Sequence, residues 1–223
     1  RYNGDEDSIQ QRQAGALEYL VFPKLEETGV VRHLFTTRTG GASKGVCATM
    51  NLSFSRGDDP EAVMENYRRI GEVLGVAPDH MAASRQTHTT NIHLVTETDL
   101  GNGITRPSAY EEIDGLATDQ PGIALVTYYA DCVPLYFVDP VHQAIGLAHS
   151  GWRGTVSRMG EHMVQFMQEQ FQSRPEDLVA AIGPSICVDC YEVSEEVAEQ
   201  FRGDFPENVL KKGKMPGKYQ LDL

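Results

Sequence analysis

YYADCVPLYFVDPVHQAIGLAHSGWRGT, residues 128–155, decides how the rest of the chain is read. Its two apolar runs, Leu135 to Val138 and Ala144 to His149, are separated only by a turn at Asp139-Pro140. No helix fits between them, so the second strand runs back beside the first. After them, Val156, Met159, Met163, Phe166 and Met167 recur at helical spacing and predict an amphipathic helix from about Thr155 to Phe171. Further strands are expected at Val30 to Arg38, Asn91 to Glu97, Ile123 to Ala130 and Leu178 to Ile182, and a short helix at Ser194 to Phe201. Asp59-Pro60 is a helix start, Val63, Tyr67, Ile70 and Leu74 its apolar face, and Gly75 its stop. Strands that follow one another without a helix favour a mixed α+β arrangement over a doubly wound parallel sheet.

Composition bounds the function. A chain of 223 residues with 40% hydrophobic residues fills one real core. We read a single domain, residues 30–223, after a polar tail and lead-in at 1–29 that opens with Gly4, Asp5, Glu6, Asp7, Gln10 and Gln11. No run approaches the ~18 consecutive apolar residues of a membrane span, and no secretory leader pattern precedes the domain. The expectation is a soluble, cytoplasmic protein without a membrane partner. A net charge of -13 repels polyanions, which argues against nucleic acid and leaves small ligands as partners. Four cysteines are too few for a disulfide scaffold.

A catalytic zinc needs three protein ligands and an open fourth position, and such ligands project from strand ends and turns. Cys132 and His149 sit at two such ends. A third donor is available in SRQTHTTNIHLV, where His88 occupies a polar turn; His93, inside the following strand, reads as a packed or exposed strand histidine. Each residue alone also fits a buried structural role.

Eight motifs then bear on identity: FTTRTGG (35–41), NLS (51–53), GDD (57–59), QTH (86–88), DGLAT (114–118), ADCVPL (130–135), AHSGWRGT (148–155) and AIGPSICVDCYEV (181–193). Together they resemble the laccase-domain family, also called YfiH-like or multicopper polyphenol oxidoreductase. The resemblance runs from about Val31 to Leu223. It implies an α+β fold with mixed sheets in a sandwich-like core flanked by helices. It also implies a zinc-dependent purine nucleoside phosphorylase acting on adenosine, inosine and methylthioadenosine, with adenosine deaminase activity and phosphate as co-substrate. Its zinc ligands carry over to His88, Cys132 and His149, with Cys132 and His149 in the catalytic set. Gln86, in the same Gln-x-His motif as His88, is placed with the substrate-binding residues. Family members normally continue past Tyr219 to Leu223, so the resemblance implies a domain that is incomplete at its C-terminal side.

Residue chemistry supplies the remaining candidates. Zinc on one thiolate and two imidazoles acidifies a bound water, the logic of zinc deaminases, which also need a proton shuttle. Asp131 and Glu192 are the carboxylates available for it. Phosphorolysis needs local positive charge, and Arg153 in GWRGT, before the expected helix, and Arg38 in TTRTGG are the anion candidates. Each could instead pair with a surface carboxylate. Asn51 either meets a ribose hydroxyl or base edge or closes a turn. GGASKG (40–45) lacks the Gly-Lys-Ser/Thr ending of a phosphate loop. Cys187-x-x-Cys190 has redox or zinc-knuckle spacing but no second pair, and reads as a turn. Two other functions stay in view. A copper laccase, with Cu2+ in place of Zn2+, needs several coppers, and the histidines His33, His80, His88, His93, His142, His149 and His162 include no His-x-His pair. A metal-free hydrolase with Cys132 as nucleophile and His149 as base leaves His88 unused.

Overall fold

A computed structural model describes residues 8–223; the opening stretch from Gly4 to Asp7 lies outside the described residues. In chain order the elements are β1 (Gln10–Ala14), β2 (Leu17–Val21), α1 (Pro23–Glu26), β3 (Phe35–Thr36), α2 (Pro60–Leu74), β4 (Met81–Ala83), β5 (Ile92–Leu94), β6 (Gly115–Thr118), β7 (Ala124–Val126), β8 (Val133–Asp139) and β9 (Ala144–Ser150). There follow α3 (Trp152–Val156), α4 (Met159–Phe171), β10 (Val179–Ile182), β11 (Glu192–Ser194), α5 (Glu195–Glu199), β12 (Leu210–Lys212) and β13 (Lys218–Leu221).

The hairpin of the opening stretch is the centre of the molecule. β8 and β9 pair antiparallel from Val133↔Ser150 to Asp139↔Ala144, and Asp139 closes the turn by accepting from the Val141 and His142 amides. They form the middle of a five-stranded sheet of order β10-β8-β9-β6-β5, in which only β5 and β6 run parallel. Alternation assigns the two faces. Phe137, Ala144, Ala148 and Ala117 face α4, whose Met159, Met163, Met167 and Phe171 repeat every fourth residue and are buried on them. Burial of each such side chain contributes about 1.5–3 kcal/mol. The helix lies close because Gly115 and Gly146 leave the sheet bare; a Cβ on Gly146 would come within 2.8 Å of the Met163 sulfur.

The other face is covered in two parts. Leu116 packs with Ala82 and Leu125 of the parallel pair β4-β7, while Tyr136 and Val138 pack on Phe22 and Leu25. The outer side of β4-β7, through Met81, Ala83, Ala124 and Val126, meets Val63, Tyr67 and Ile70 of α2. Two sheets with a helix outside each make the expected α+β sandwich. α2 begins and ends where its signals lie: Asp59 accepts from the Glu61 amide, and Gly75 stops it at φ 78.

Several expectations change, and the strands expected at Asn91 to Glu97 and Ile123 to Ala130 shorten to Ile92–Leu94 and Ala124–Val126. The helix expected from about Thr155 is two helices, since Arg158 stands at φ 59 and breaks the path between α3 and α4. Arg158 is held there by its bond to the Asp204 carbonyl and by stacking on Phe205, contacts remote in sequence. The strand expected over Val30 to Arg38 shortens to Phe35–Thr36. Within the segment read as lead-in, residues 10–21 form a hairpin, and Leu17, Val21, Phe22 and Leu25 enter the core. β1 is exposed throughout, so no alternation marks it in the sequence.

Candidate metal centre

The register of β8 and β9 sets two ligands side by side. Cys132 directly precedes β8, and His149 lies opposite Pro134 in β9. The third comes from the loop after β4, where His88 adopts φ 67, a conformation uncommon outside glycine. Its cause is Asp114, fully buried at the start of β6. One carboxylate oxygen accepts from the His88 amide at 3.0 Å and the His149 Nδ1 at 2.8 Å. The other accepts from the Thr87 and Thr89 amides and the Thr89 hydroxyl. Asp114 thus folds the loop and fixes the His149 ring at once.

The donor atoms of His88, Cys132 and His149 lie within 4.8 Å of one another. The His88 Nε2 and Cys132 Sγ are 3.9 Å apart. Tetrahedral zinc, with bonds of about 2.3 Å to sulfur and 2.0–2.1 Å to nitrogen, sets such a pair about 3.6 Å apart, so the spacing fits with little movement. His149 gives its Nδ1 to Asp114 and keeps Nε2 for a metal, a common outer-sphere arrangement. Gly151 completes the cradle: a Cβ there would lie 2.9 Å from both Cys132 Sγ and His88 Cδ2.

The electrostatics follow from this packing. Burial pushes the Asp114 carboxyl up, but the hydrogen bonds from His149, Thr87 and Thr89 overcome it and hold the pKa at about 2. Burial pulls His149 down, and its bonds to Asp114 and Cys132 raise it to about 9. Metal binding at this imidazole therefore competes with a proton.

The remaining expected residues separate into two groups. Asn51 closes a turn, donating to the Ser53 carbonyl and Asp58 while accepting from the Ser53 amide. Gln86 spends both ends of its amide on the Tyr128 backbone, at 2.7 Å each, and so holds the segment between β7 and β8 that leads to Cys132. The Glu192 carboxylate accepts from the Lys214 and Met215 amides. His93 pairs with Asp99 and meets the Tyr110 ring at a tilt, outside the cluster. Asp131 is exposed, and its carbonyl accepts from the Ile186 amide. Arg153 and Arg38 remain available: both are exposed and neither enters an ion pair among the described residues. Arg153 lies 4.3 Å over the Trp152 ring. Its charge also acts on Tyr191, whose hydroxyl is held up by burial and by the neighbouring Cys132 and Asp131.

Arg38, Asn51, Gln86, Tyr128, Tyr129 and Ala130 line one open cleft. The three donors are not among its lining residues, but the Tyr129 ring lies 5.8 Å from that of His149. Asp114 is the site residue whose role sequence reading missed. Its one local sign is an acid set against the apolar run Gly115 to Ala117.

Known proteins resemble this chain in both sequence and fold. The sequence model described as multi-copper polyphenol oxidoreductase laccase matches residues 32–223. The chain is 41% identical over 191 residues to a protein named purine nucleoside phosphorylase YlmD from Geobacillus stearothermophilus, covering 84% of this chain and 70% of the relative. It is 34% identical over 210 residues to one named adenosine deaminase RL5 from an unknown prokaryotic organism, covering 93% and 79%. The crystal structure of YlmD from Geobacillus stearothermophilus superposes with a TM-score of 0.86 at 36% identity, over 97% of this chain and 80% of that one.

Proposed function

The chain belongs to the multi-copper polyphenol oxidoreductase laccase family, and from that premise we propose that it is a zinc-dependent purine nucleoside phosphorylase that also deaminates adenosine. The observation that carries the reading is the cluster of His88, Cys132 and His149, with exposed Arg153 two residues beyond Gly151 of the cradle and exposed Arg38 lining the neighbouring cleft. Zinc held by these residues would supply Lewis acidity and an acidified water.

The protein's own groups do the rest. In phosphorolysis of inosine, a phosphate oxygen bonds to C1′ of the ribose, the bond from C1′ to N9 breaks, and hypoxanthine leaves with a proton. Arg153 and Arg38 hold and neutralise the phosphate by charge-assisted contacts. In deamination, water adds at C6 of adenosine and ammonia leaves; we assign the proton transfer to Asp131, exposed beside Cys132, since Glu192 is engaged with the Lys214 and Met215 amides. Methylthioadenosine enters by the phosphorolytic route. Asp114 acts through His88 and His149 as a positioning residue.

Cys132, His149 and Asp114 also stand in the order of a nucleophile, base and orienting acid. The His88 imidazole on the same sulfur favours metal over that reading. Among the described residues one group of three donors could hold a metal ion, which favours one metal over several coppers, although Cu2+ would occupy the same donors when supplied.

Chromatography of inosine and adenosine reactions, with and without phosphate, tests the proposal. The expected result is hypoxanthine and ribose 1-phosphate only with phosphate, and loss of both activities and of stoichiometric zinc in Cys132→Ala. Base release at an equal rate without phosphate, with free ribose, would show a hydrolase instead.

A further inference from the structure

Cys187 and Cys190 lie in the loop that connects β10 to β11, and both are exposed free thiols. The Cys190 amide donates to the Cys187 carbonyl at 3.0 Å, which makes residues 187–190 a β-turn. Such a turn brings its end Cα atoms within about 7 Å, the range a disulfide bridges at about 4.4–6.8 Å. The Tyr191 amide donates to the same Cys187 carbonyl at 3.1 Å, which fixes the turn that carries both thiols. The neighbouring Cys190 and its amide lower the Cys187 pKa, and the Cys187 sulfur raises that of Cys190, in keeping with attack by the first and resolution by the second.

The turn is also anchored at both ends. Ile186 donates to the Asp131 carbonyl at 2.9 Å, next to Cys132, and the Tyr191 carbonyl accepts from the Leu221 amide at 3.0 Å. At the tip, Lys214 Nζ and the Gln220 amide both bond the Asp189 carbonyl. This frame keeps the two sulfurs on one side of a short, solvent-facing loop, where a small oxidant reaches them.

We propose that Cys187 and Cys190 form a reversible dithiol/disulfide couple that exchanges with low-molecular-weight disulfides. The Cys187 thiolate attacks one sulfur of the small disulfide, forming a mixed disulfide and releasing one thiolate. Cys190, losing its proton, attacks the Cys187 sulfur, forms the bond between residues 187 and 190, and releases the second thiol. The protein loses two protons and two electrons; the small disulfide is reduced to two thiols. A small dithiol reverses both steps.

The metal-loaded protein, equilibrated in graded mixtures of reduced and oxidised glutathione, acid-quenched, alkylated and weighed intact, tests the proposal. The expected result is a species lighter by two protons that rises with oxidised glutathione, carries a 187–190 link in peptide maps, and disappears on reduction. Cys190→Ser should stop at a mixed disulfide on Cys187, while Cys47→Ser should close the bond as the parent does. Stable glutathione adducts on the parent, a link through Cys47 or Cys132, or no link at any ratio would overturn it. Folding of the variants is checked by circular dichroism.

Discussion

Replacing Asp114 by Asn removes one charge and one acceptor from a carboxylate that takes bonds from Thr87, His88, Thr89 and His149. The amide has one oxygen to offer. Turned toward the threonines, it strands the His88 amide and the His149 Nδ1–H; turned the other way, it strands the Thr87 and Thr89 amides. The Thr89 hydroxyl escapes in either case, because the Glu112 carbonyl lies 3.1 Å away. Two buried donors therefore lose their partner, each at about 1–3 kcal/mol, so the variant should be destabilised by roughly 2–6 kcal/mol. His149 has one relief, which is to move its proton to Nε2, and that blocks the nitrogen a metal needs. Zinc affinity should fall by about 10–100-fold, the usual cost of losing such a partner. Denaturant unfolding of the chelated protein reads the first effect, and zinc competition with a chromophoric chelator reads the second. A variant with the parent midpoint and the parent zinc affinity would refute the organising role given to Asp114.

Three further outcomes are expected. Gly151→Ala keeps an accessible backbone, φ -79 and ψ -174, but puts a methyl 2.9 Å from Cys132 Sγ and His88 Cδ2, so competition titration should show weaker zinc binding in a protein with normal circular dichroism. Arg153→Ala should lower kcat/KM for phosphate by about 10- to 150-fold, the equivalent of a charge-assisted contact of about 1.5–3 kcal/mol, with zinc content unchanged and adenosine deamination less affected. Asp114 has a folded pKa of about 2, below its ordinary 3.8, so its contribution to stability is complete above 3.8 and is lost as the pH falls toward 2. Unfolding midpoints of the chelated parent should drop over that window by the equivalent of roughly 2–3 kcal/mol, and Asp114→Asn should lack that drop.

What could be read in the sequence is what depends on neighbours along the chain. Cys132 and His149 are legible because a turn at Asp139-Pro140 forces two strands together and brings their far ends level. α2 is legible for the same reason: Asp59, Pro60 and Gly75 act on the backbone within one turn of themselves. Legibility fails where a distant contact decides. The apolar repeat runs unbroken from Val156 to Met167, yet Arg158 leaves the helical path for partners at Asp204 and Phe205. The exposed β1 and the three-residue strands β11 and β12 carry too little alternation to mark themselves.

The centre itself combines both cases. His88 could be chosen as a ligand by residue type and by the family motif, but its left-handed backbone has no local cause, since a histidine pays for that conformation without help from its own side chain. The cause is Asp114, 26 residues later, which binds three successive amides of the loop and the second imidazole. Those bonds need a carboxylate free of water and fixed on a strand, and burial against an apolar run provides both. The acid that opens DGLAT is therefore as informative as the spacing of the candidate ligands: a carboxylate driven into a core has to be met by donors, and here the donors are the loop that carries His88 and the ring of His149.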